Sequence, residues 1–408
     1  MTGFALGVWI YEERGSATLY AITLVVSILP RVALSPVAGV VADRWDRRWD
    51  MILADTGAGP SSLFVLLMLI MGRLEVWHIY ISTLLNSASS TFQWPAYAAA
   101  TSLLVPKRHL GRASGLTQIG DAISQLAAPA IAGTLYVGAG LRSVVLIDVT
   151  TYLVALATLV IARFPQPNAT GEGDEAKGSF IKEAVFGWTY IRRRPGLFGL
   201  LVTFAVLNFL VSLTFALYTP LILGLTTAEV LGYLNSVAGL GMLVSTFLMS
   251  LWGGPRRRVY GIFAAEMVLG LTTFLFGLRL NIPLLAINNF FFMLAMPISN
   301  GCSQAIWQSK VEPDIQGRVF AIWRTIALSI TPLSYAIAGP LAEQVFEPWM
   351  AQGGALSATV GRVIGVGPGH DIALIFILAG ALYILVVLAI PTIPRIRRLE
   401  VELPDAVG

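Results

Sequence analysis

The sequence predicts an all-α polytopic membrane protein of about twelve transmembrane helices in two six-helix halves, with only part of the first helix present. Three observations carry this expectation. Hydrophobic residues make up 56% of the 408-residue chain and charged residues 12%, half of the roughly 25% usual in a soluble domain. Mean hydropathy is +0.74, and apolar runs of about 20 residues, the length that crosses a hydrocarbon core of ~30 Å, recur from end to end. The second half of the chain also echoes the first. A shift of 206 residues lays Gly111-Arg112 on Gly317-Arg318, and Ala130 to Gly133 with Leu135 on Ala336 to Gly339 with Leu341. Seven of 25 positions agree, where composition alone gives about two or three. An offset of half the chain reads as duplication of a six-helix unit.

The first apolar stretch, Thr2 to Tyr11, rises only about 15 Å as a helix, half a bilayer core. No basic region precedes it, so it does not read as a signal peptide. It reads as the outer half of a helix that begins roughly a dozen residues before Met1, the length suggested by aligning the two halves. The second helix runs from about Ala17 to Val41 with Pro30 and Pro36 inside it, tolerable where neighbouring helices satisfy the freed carbonyls. A third follows from about Met51 to Met71, a short turn at Arg73 to Glu75, and a fourth from Trp77 to about Ala99. The fifth spans about Arg112 to Val137 and the sixth about Leu141 to Ile161, so residues 1–162 form the first bundle.

Residues Arg163 to Lys177 are too polar for the membrane and mark a linker. Beyond them Phe180, Ile181, Ala184, Val185, Trp188 and Ile191 share one helical face. This amphipathic stripe predicts an interfacial helix ending at Arg192-Arg193-Arg194-Pro195, so residues 163–196 connect the halves. The second bundle, 197–392, has apolar segments at about Leu197 to Thr219, Ala228 to Trp252, Val259 to Arg279, Pro283 to Trp307, Gly317 to Leu341 and Ile372 to Ile390. A glycine-rich outer loop fills about Ala342 to His370, and residues 393–408 form a tail.

Charge sets the orientation. Most of the 27 Lys and Arg fall in alternate loops, leaving Arg14, Arg73, Arg142, Arg279 and Arg362 on the other side. The positive-inside rule puts the linker, the tail and the loop after the second helix in the cytoplasm. The pI of about 9.2 comes from basic residues scattered over short loops, which are orienting charges and form no nucleic-acid face. The single cysteine, Cys302, excludes a disulfide framework. No spacing suits a metal, a nucleotide or a hydrolytic triad, and His78, His109 and His370 fall at helix ends or in loops. The expectation is a protein that is not an enzyme, with no metal and no cofactor, acting as a monomer in the bilayer.

The loop after the second helix is the most specific motif: Gly39-Val-Val-Ala-Asp43-Arg44-Trp-Asp-Arg47-Arg48. It resembles the signature of the major facilitator superfamily, Gly-x-x-x-Asp-Arg-x-Gly-Arg-Arg, which joins the second and third helices on the cytoplasmic side. Asp46 stands where the family has Gly, and Asp is among the residues that tolerate a positive φ. The family is built from two parallel six-helix halves, and Arg256-Arg257-Arg258 falls near the mirror position of Arg47 and Arg48. The resemblance implies a conformational gate of Gly39, Asp43, Arg44, Arg47, Arg48 and Arg318. Asp43 would meet the N-terminal end of the eleventh helix, whose unpaired amides attract a carboxylate, and Arg318 would strengthen the contact.

An ionisable group at membrane depth needs a partner or water, so the charges inside helices are further candidates. By residue count Arg31 and Asp121 lie near mid-membrane, and Arg324 and Glu266 lie about 10 Å from the inner surface, with Asp148 as far from the outer one. The resemblance puts the second, fifth, eighth and eleventh helices at the seam between the halves. Asp121 then serves either transport or a structural hydrogen bond, and Arg31 and Arg324 either bind substrate or an ion pair or anchor helices. Asp148 and Glu266 read as structural, and Asn208, Asn235, Asn288 and Asn289 as interhelical glue.

Ala128-Pro129-x-x-Ala132-Gly133 resembles the Gly-Pro-x-x-Gly-Gly motif of drug-proton antiporters, in which small residues let helices approach closely. Pro129 and Gly133, with Gly339 in the repeat, are the helix-packing residues. The fourth helix lacks the arginine usual in that branch, which leaves proton coupling open. The Asp43 loop, Gln93-Trp94-Pro95-Ala96 and the glycine-rich outer loop look most like the macrolide-efflux and enterobactin-exporter branch. That resemblance implies export of an amphipathic small molecule, a drug, macrolide or siderophore-like compound, by alternating access. A small-molecule importer of the same fold and a non-transporting membrane assembly subunit are the alternatives.

Overall fold

The computed structural model describes the backbone of every residue except 45–46, 105–109, 162–187, 253, 256, 279–280, 312–315, 366, 368 and 403–408. Side chains are described for the same residues apart from 35–55, 58, 94–122, 125–126, 159–161, 252, 308, 316–318, 320–321, 324, 328, 363 and 401. Among the described residues there is no strand. Eight helices among the described residues are long and apolar enough to cross a membrane. The chain divides into two units, 1–171 with 226–233, and 172–225 with 234–408.

The first unit opens with α1, Thr2–Arg14. It ends at Gly15, whose φ of 62° places its N–H on the Tyr11 carbonyl at 2.8 Å, a helix stop that glycine makes at no steric cost. Next come α2, Ala17–Arg44, α3, Arg47–Ile70, and α4, Val76–Leu104. Between α3 and α4 the Gly72 N–H bonds the Leu69 carbonyl and the Arg73 N–H the Met68 carbonyl at 2.9 Å, a Schellman stop. The start of α4 is held by His78, whose Nδ1 accepts the Glu75 N–H at 3.0 Å, so this histidine has a structural partner.

Helix α5, Leu110–Ile161, is broken at Gly140 (φ 74°, ψ 171°), a conformation open in practice only to glycine. At about 1.5 Å per residue an unbroken helix of that length would far exceed a bilayer. The break gives the two helices expected from the apolar pattern, linked by a single residue. Leu141, Val144 and Val145 of the second arm pack with Ala5, Leu6 and Ile10 of α1, Val65 and Leu66 of α3 and Ile79 of α4. The short first helix is thus an integral wall of this core, and Tyr136 donates to its Glu12 at 2.8 Å.

The second unit holds α6, Pro195–Leu225, most of α7, Ala228–Trp252, then α8, Arg258–Leu278, α9, Ile282–Lys310, α10, Gln316–Pro340, and α11, His370–Ala389. Helix α9 begins on Asn281, whose side chain accepts the Leu284 N–H at 2.9 Å, a cap worth about 1 kcal/mol. Its core joins Leu207 and Leu210 of α6, Ala265 and Leu269 of α8, Phe292 and Ala295 of α9, and Ala379 and Tyr383 of α11. Helices α8 and α11 meet backbone to backbone. A methyl group added at Gly277 would stand 2.2 Å from the Ala373 carbonyl oxygen, and one at Gly380 2.4 Å from the Phe274 nitrogen.

Two segments differ from the expected boundaries. The loop expected from Ala342 begins only at Ala351, because α10 runs on through a π-helical turn, Leu341–Phe346, and a further turn, Glu347–Met350. Glu343 and Gln344 make the stretch look polar, but Ala342, Phe346 and Met350 recur at four-residue intervals and are buried. The segment after α11 folds back as two short helices, α12, Pro394–Arg397, and α13, Leu399–Glu402. Ile396 and Leu399 are buried against Gly196 and Gly199 at the start of α6. Glu400 caps α8, accepting the N–H groups of Arg258 at 3.0 Å and Val259 at 3.3 Å. Its carbonyl accepts Lys310 Nζ at 2.9 Å.

Candidate functional site

Of the expected gate residues, Gly39, Asp43 and Arg44 lie in the last turns of α2, Arg47 and Arg48 open α3, and Arg318 lies in the first turn of α10. Their side chains, like those of Asp121 in α5 and Arg324 in α10, lie outside the described residues. Arg31 is exposed on α2. Gly133 is buried in the first unit, where a methyl group at this position would stand 2.6 Å from the Ala228 carbonyl oxygen. One at Gly232 would stand 2.5 Å from that of Pro129, so two backbones touch here with no room for a Cβ. Gly339 is buried near the end of α10.

The described residues form a pocket inside the second unit, between α6, α7, α8, α9 and α11. Thr214, Tyr218, Asn235, Thr273 and Asn289 supply its polar groups, and Phe276, Phe292, Phe376 and Met293 its apolar walls. Asn289 organises it. Its amide donates to the Tyr218 hydroxyl and to the Leu234 carbonyl at 3.2 Å, tying α9 to α6 and α7. Bonds of this kind are worth about 0.6 kcal/mol each within a membrane. Thr214 and Thr273 turn their hydroxyls onto carbonyls of their own helices, at 3.0 Å for Val211 and 2.7 Å for Leu269. Tyr218 meets Phe276 edge to face at 5.8 Å between centroids, and Phe276 meets Phe376 at the same distance.

Among the described residues no acidic or basic side chain lines this pocket. Aromatic edges and faces with amide and hydroxyl groups suit a neutral amphipathic guest, or the apolar part of a cationic one through its contact with ring faces. Counting about 1.5 Å per residue from the starts of α7, α9 and α11, the pocket lies roughly 10 Å in from the end opposite the arginines.

A second polar cluster sits nearer the arginine end. Glu266 of α8 is buried and accepts hydroxyl bonds from Ser299 of α9 and Tyr383 of α11, one on each carboxyl oxygen. The three groups join three helices, the arrangement that lets a carboxyl group sit in an apolar core. In the first unit Asp148 does the same on a smaller scale, accepting Ser62 Oγ at 2.8 Å.

Sequence reasoning singled out Asn235, Asn289 and Glu266 but not Tyr218, Thr214, Thr273, Ser299 or Tyr383. Hydroxyl residues at four-residue spacing, Thr214 with Tyr218, were the available signal. It is weak, because threonine and serine in an apolar helix mostly satisfy themselves on the preceding turn.

A family model described as the Major Facilitator Superfamily matches residues 1–342. Macrolide efflux protein A of Streptococcus pyogenes is 26% identical over 415 residues, covering 97% of this chain and 92% of that one. The protein of the same name from Enterococcus faecalis is 28% identical over 334 residues, covering 78% and 99%. Among solved structures, a POT family transporter in complex with a thioalcohol-conjugated peptide matches with a TM-score of 0.68 at 11% identity, over 97% of this chain and 93% of that one. A bacterial homologue of the human lysosomal transporter Spinster, inward-facing and unoccupied, matches at 0.62 and 14% identity, over 95% and 93%. These structural likenesses speak for the fold.

Proposed function

Because the chain belongs to the Major Facilitator Superfamily, we propose that this multi-pass membrane transporter exports an amphipathic small molecule of the drug, macrolide or siderophore-like class by alternating access. The observation that carries the reading is similarity along nearly the whole chain to proteins named for macrolide efflux. The uncharged, aromatic pocket between α6, α7, α8, α9 and α11 supports it, because it offers ring faces and a few hydrogen-bonding groups to a guest that is mostly apolar.

In this reading Asp43 is the gate, with Gly39, Arg44, Arg47, Arg48 and Arg318, and it closes on amides at the start of α10 when the transporter faces outward. Asp121, Arg31 and Arg324 serve substrate binding or coupling, and the coupling ion is a proton moving inward as the substrate leaves, which of the three only Asp121 can exchange. The arginine-bearing loops, the linker and the tail face the cytoplasm, and the transporter works as a monomer without cofactor.

The test is efflux from drug-sensitive cells expressing the chain or Asp43→Asn, with and without a protonophore. Energy-dependent extrusion that falls in the mutant at equal levels of folded protein is the expected result. Inward accumulation would replace this reading with import, and no transport by well-folded protein would replace it with an assembly role.

A further inference from the structure

Outside the polar pocket, the second unit carries an open groove between α6 and α10. It holds about 430 Å³. Phe198, Leu201, Val202, Ala205 and Phe209 of α6 form one wall and Ile326 and Ile330 of α10 the other, with Trp188 at one end, and the lining among the described residues is apolar. From Phe198 to Phe209 it runs about 16 Å along α6 at 1.5 Å per residue, the depth of one leaflet of a core ~30 Å thick. A partner helix 10 Å across and that long would need about 1,200 Å³. An extended hydrocarbon chain needs far less.

One end of the groove is strongly basic. Trp188 closes it, 39% exposed and edge-on to Phe198, and Arg192 follows one helical turn later, on the same face. Arg192 and Arg193 are exposed. The Arg194 guanidinium carbon stands 3.5 Å from the centroid of the Tyr190 ring. The folded-back tail passes the start of α6 on another face of that helix, with the Arg395 carbonyl oxygen 3.0 Å from where a Cβ at Gly196 would stand. Arg395, Arg397 and Arg398 are exposed on that segment. Of the described carboxylates on that segment, Glu400 is engaged by the start of α8 and Glu402 is exposed.

We propose that this groove binds one acyl chain of an anionic phospholipid, with its phosphate held by Arg192 and Arg193 at the mouth. A chain-length apolar slot that opens on a cluster of planar, multiply donating cations beside an exposed tryptophan matches both parts of such a lipid. The inference concerns a stationary ligand and does not depend on the direction of transport.

Native mass spectrometry of the full chain in detergent, with added phosphatidylglycerol, phosphatidylcholine or inorganic phosphate, tests it. Phosphatidylglycerol is expected to be retained over phosphatidylcholine. Arg192→Ala with Arg193→Ala is expected to weaken its retention about 30-fold, from about five-fold per arginine at a membrane surface. Ala205→Phe, which fills the slot, is expected to abolish retention at an unchanged thermal midpoint, and Val202→Phe replaces it if that variant does not fold. Equal retention of phosphatidylcholine, full retention in the filled variant, or an equal effect of inorganic phosphate would overturn the proposal. Displacement of the lipid by a macrolide would overturn it too, by assigning the groove to the transported molecule.

Discussion

Ser62 of α3 donates its hydroxyl to Asp148 of α5 at 2.8 Å, across the core of the first unit. The bond joins two helices through a carboxyl group at membrane depth, where a lost partner is felt by both sides. Ser62→Ala and Asp148→Leu are each expected to cost about 1 kcal/mol. The double variant should cost no more than the worse single one, because the second change removes a group already without its partner. Thermal unfolding of the four proteins in one detergent measures the coupling, and strict additivity would show that the contact contributes nothing.

Glu266→Ala is expected to be more damaging. It leaves the Ser299 and Tyr383 hydroxyls facing an empty, buried position, at about 1–3 kcal/mol per stranded group. Glu266→Gln keeps one carbonyl acceptor and should recover about half of the loss. Unfolding midpoints compared at equal detergent concentration check the order of the three proteins.

At the crossing of α8 and α11 the bulk of a single side chain decides. Gly380→Val would drive its Cβ onto backbone atoms of Phe274, within 2.4–2.5 Å, and backbone cannot step aside as a flexible side chain can. The expected loss is about 3 kcal/mol, read as reduced yield of monodisperse protein and a lower melting temperature. A neutral outcome would mean that the helices part easily at this point.

Glu400→Ala removes the cap on α8, since both carboxyl oxygens serve its first two amides. The expected cost is about 1 kcal/mol. A more telling readout is limited proteolysis after the arginines of α12, which should accelerate once the tail is released, while cleavage elsewhere in the second unit stays unchanged.

In the polar pocket, Asn289→Leu cuts the tie to Tyr218 and Leu234 and replaces an amide with a branched apolar group. Transport is expected to fall several-fold for hydrogen-bonding substrates and less for purely apolar ones, since a lost pair is worth about 1 kcal/mol. Tyr218→Phe should move the same substrates in the same direction with little effect on stability. Concentration-dependent efflux of two test compounds of unequal polarity checks both variants.

Helix existence was legible in the sequence because a membrane span is written as length and hydropathy, and α7 begins and ends where the apolar run does. The C-terminal extension of α10 was not legible, since Glu343 and Gln344 lie on the outer side of a turn whose inner side is apolar. Asn235, Asn289 and Glu266 announced themselves as polar residues in apolar helices. Tyr218, Ser299 and Tyr383 did not, because which hydroxyl faces which carboxyl depends on helix rotation, and rotation is fixed by close contacts such as Gly277 on Ala373 that no local pattern encodes. The folding back of the tail was equally silent, resting on Ile396 and Leu399 finding a surface about 200 positions earlier in the chain.

The break at Gly140 also limits how the first unit can move. Two helices joined through one residue share an end point, so neither can slide along its axis past the other, and the one-turn ratchet by which some packed helices shift is closed to this pair. What remains is a change of angle about a single pivot. A cross-link between the far ends of the two arms would therefore stop the change of angle between them, while the same cross-link placed beside Gly140 would leave it almost untouched.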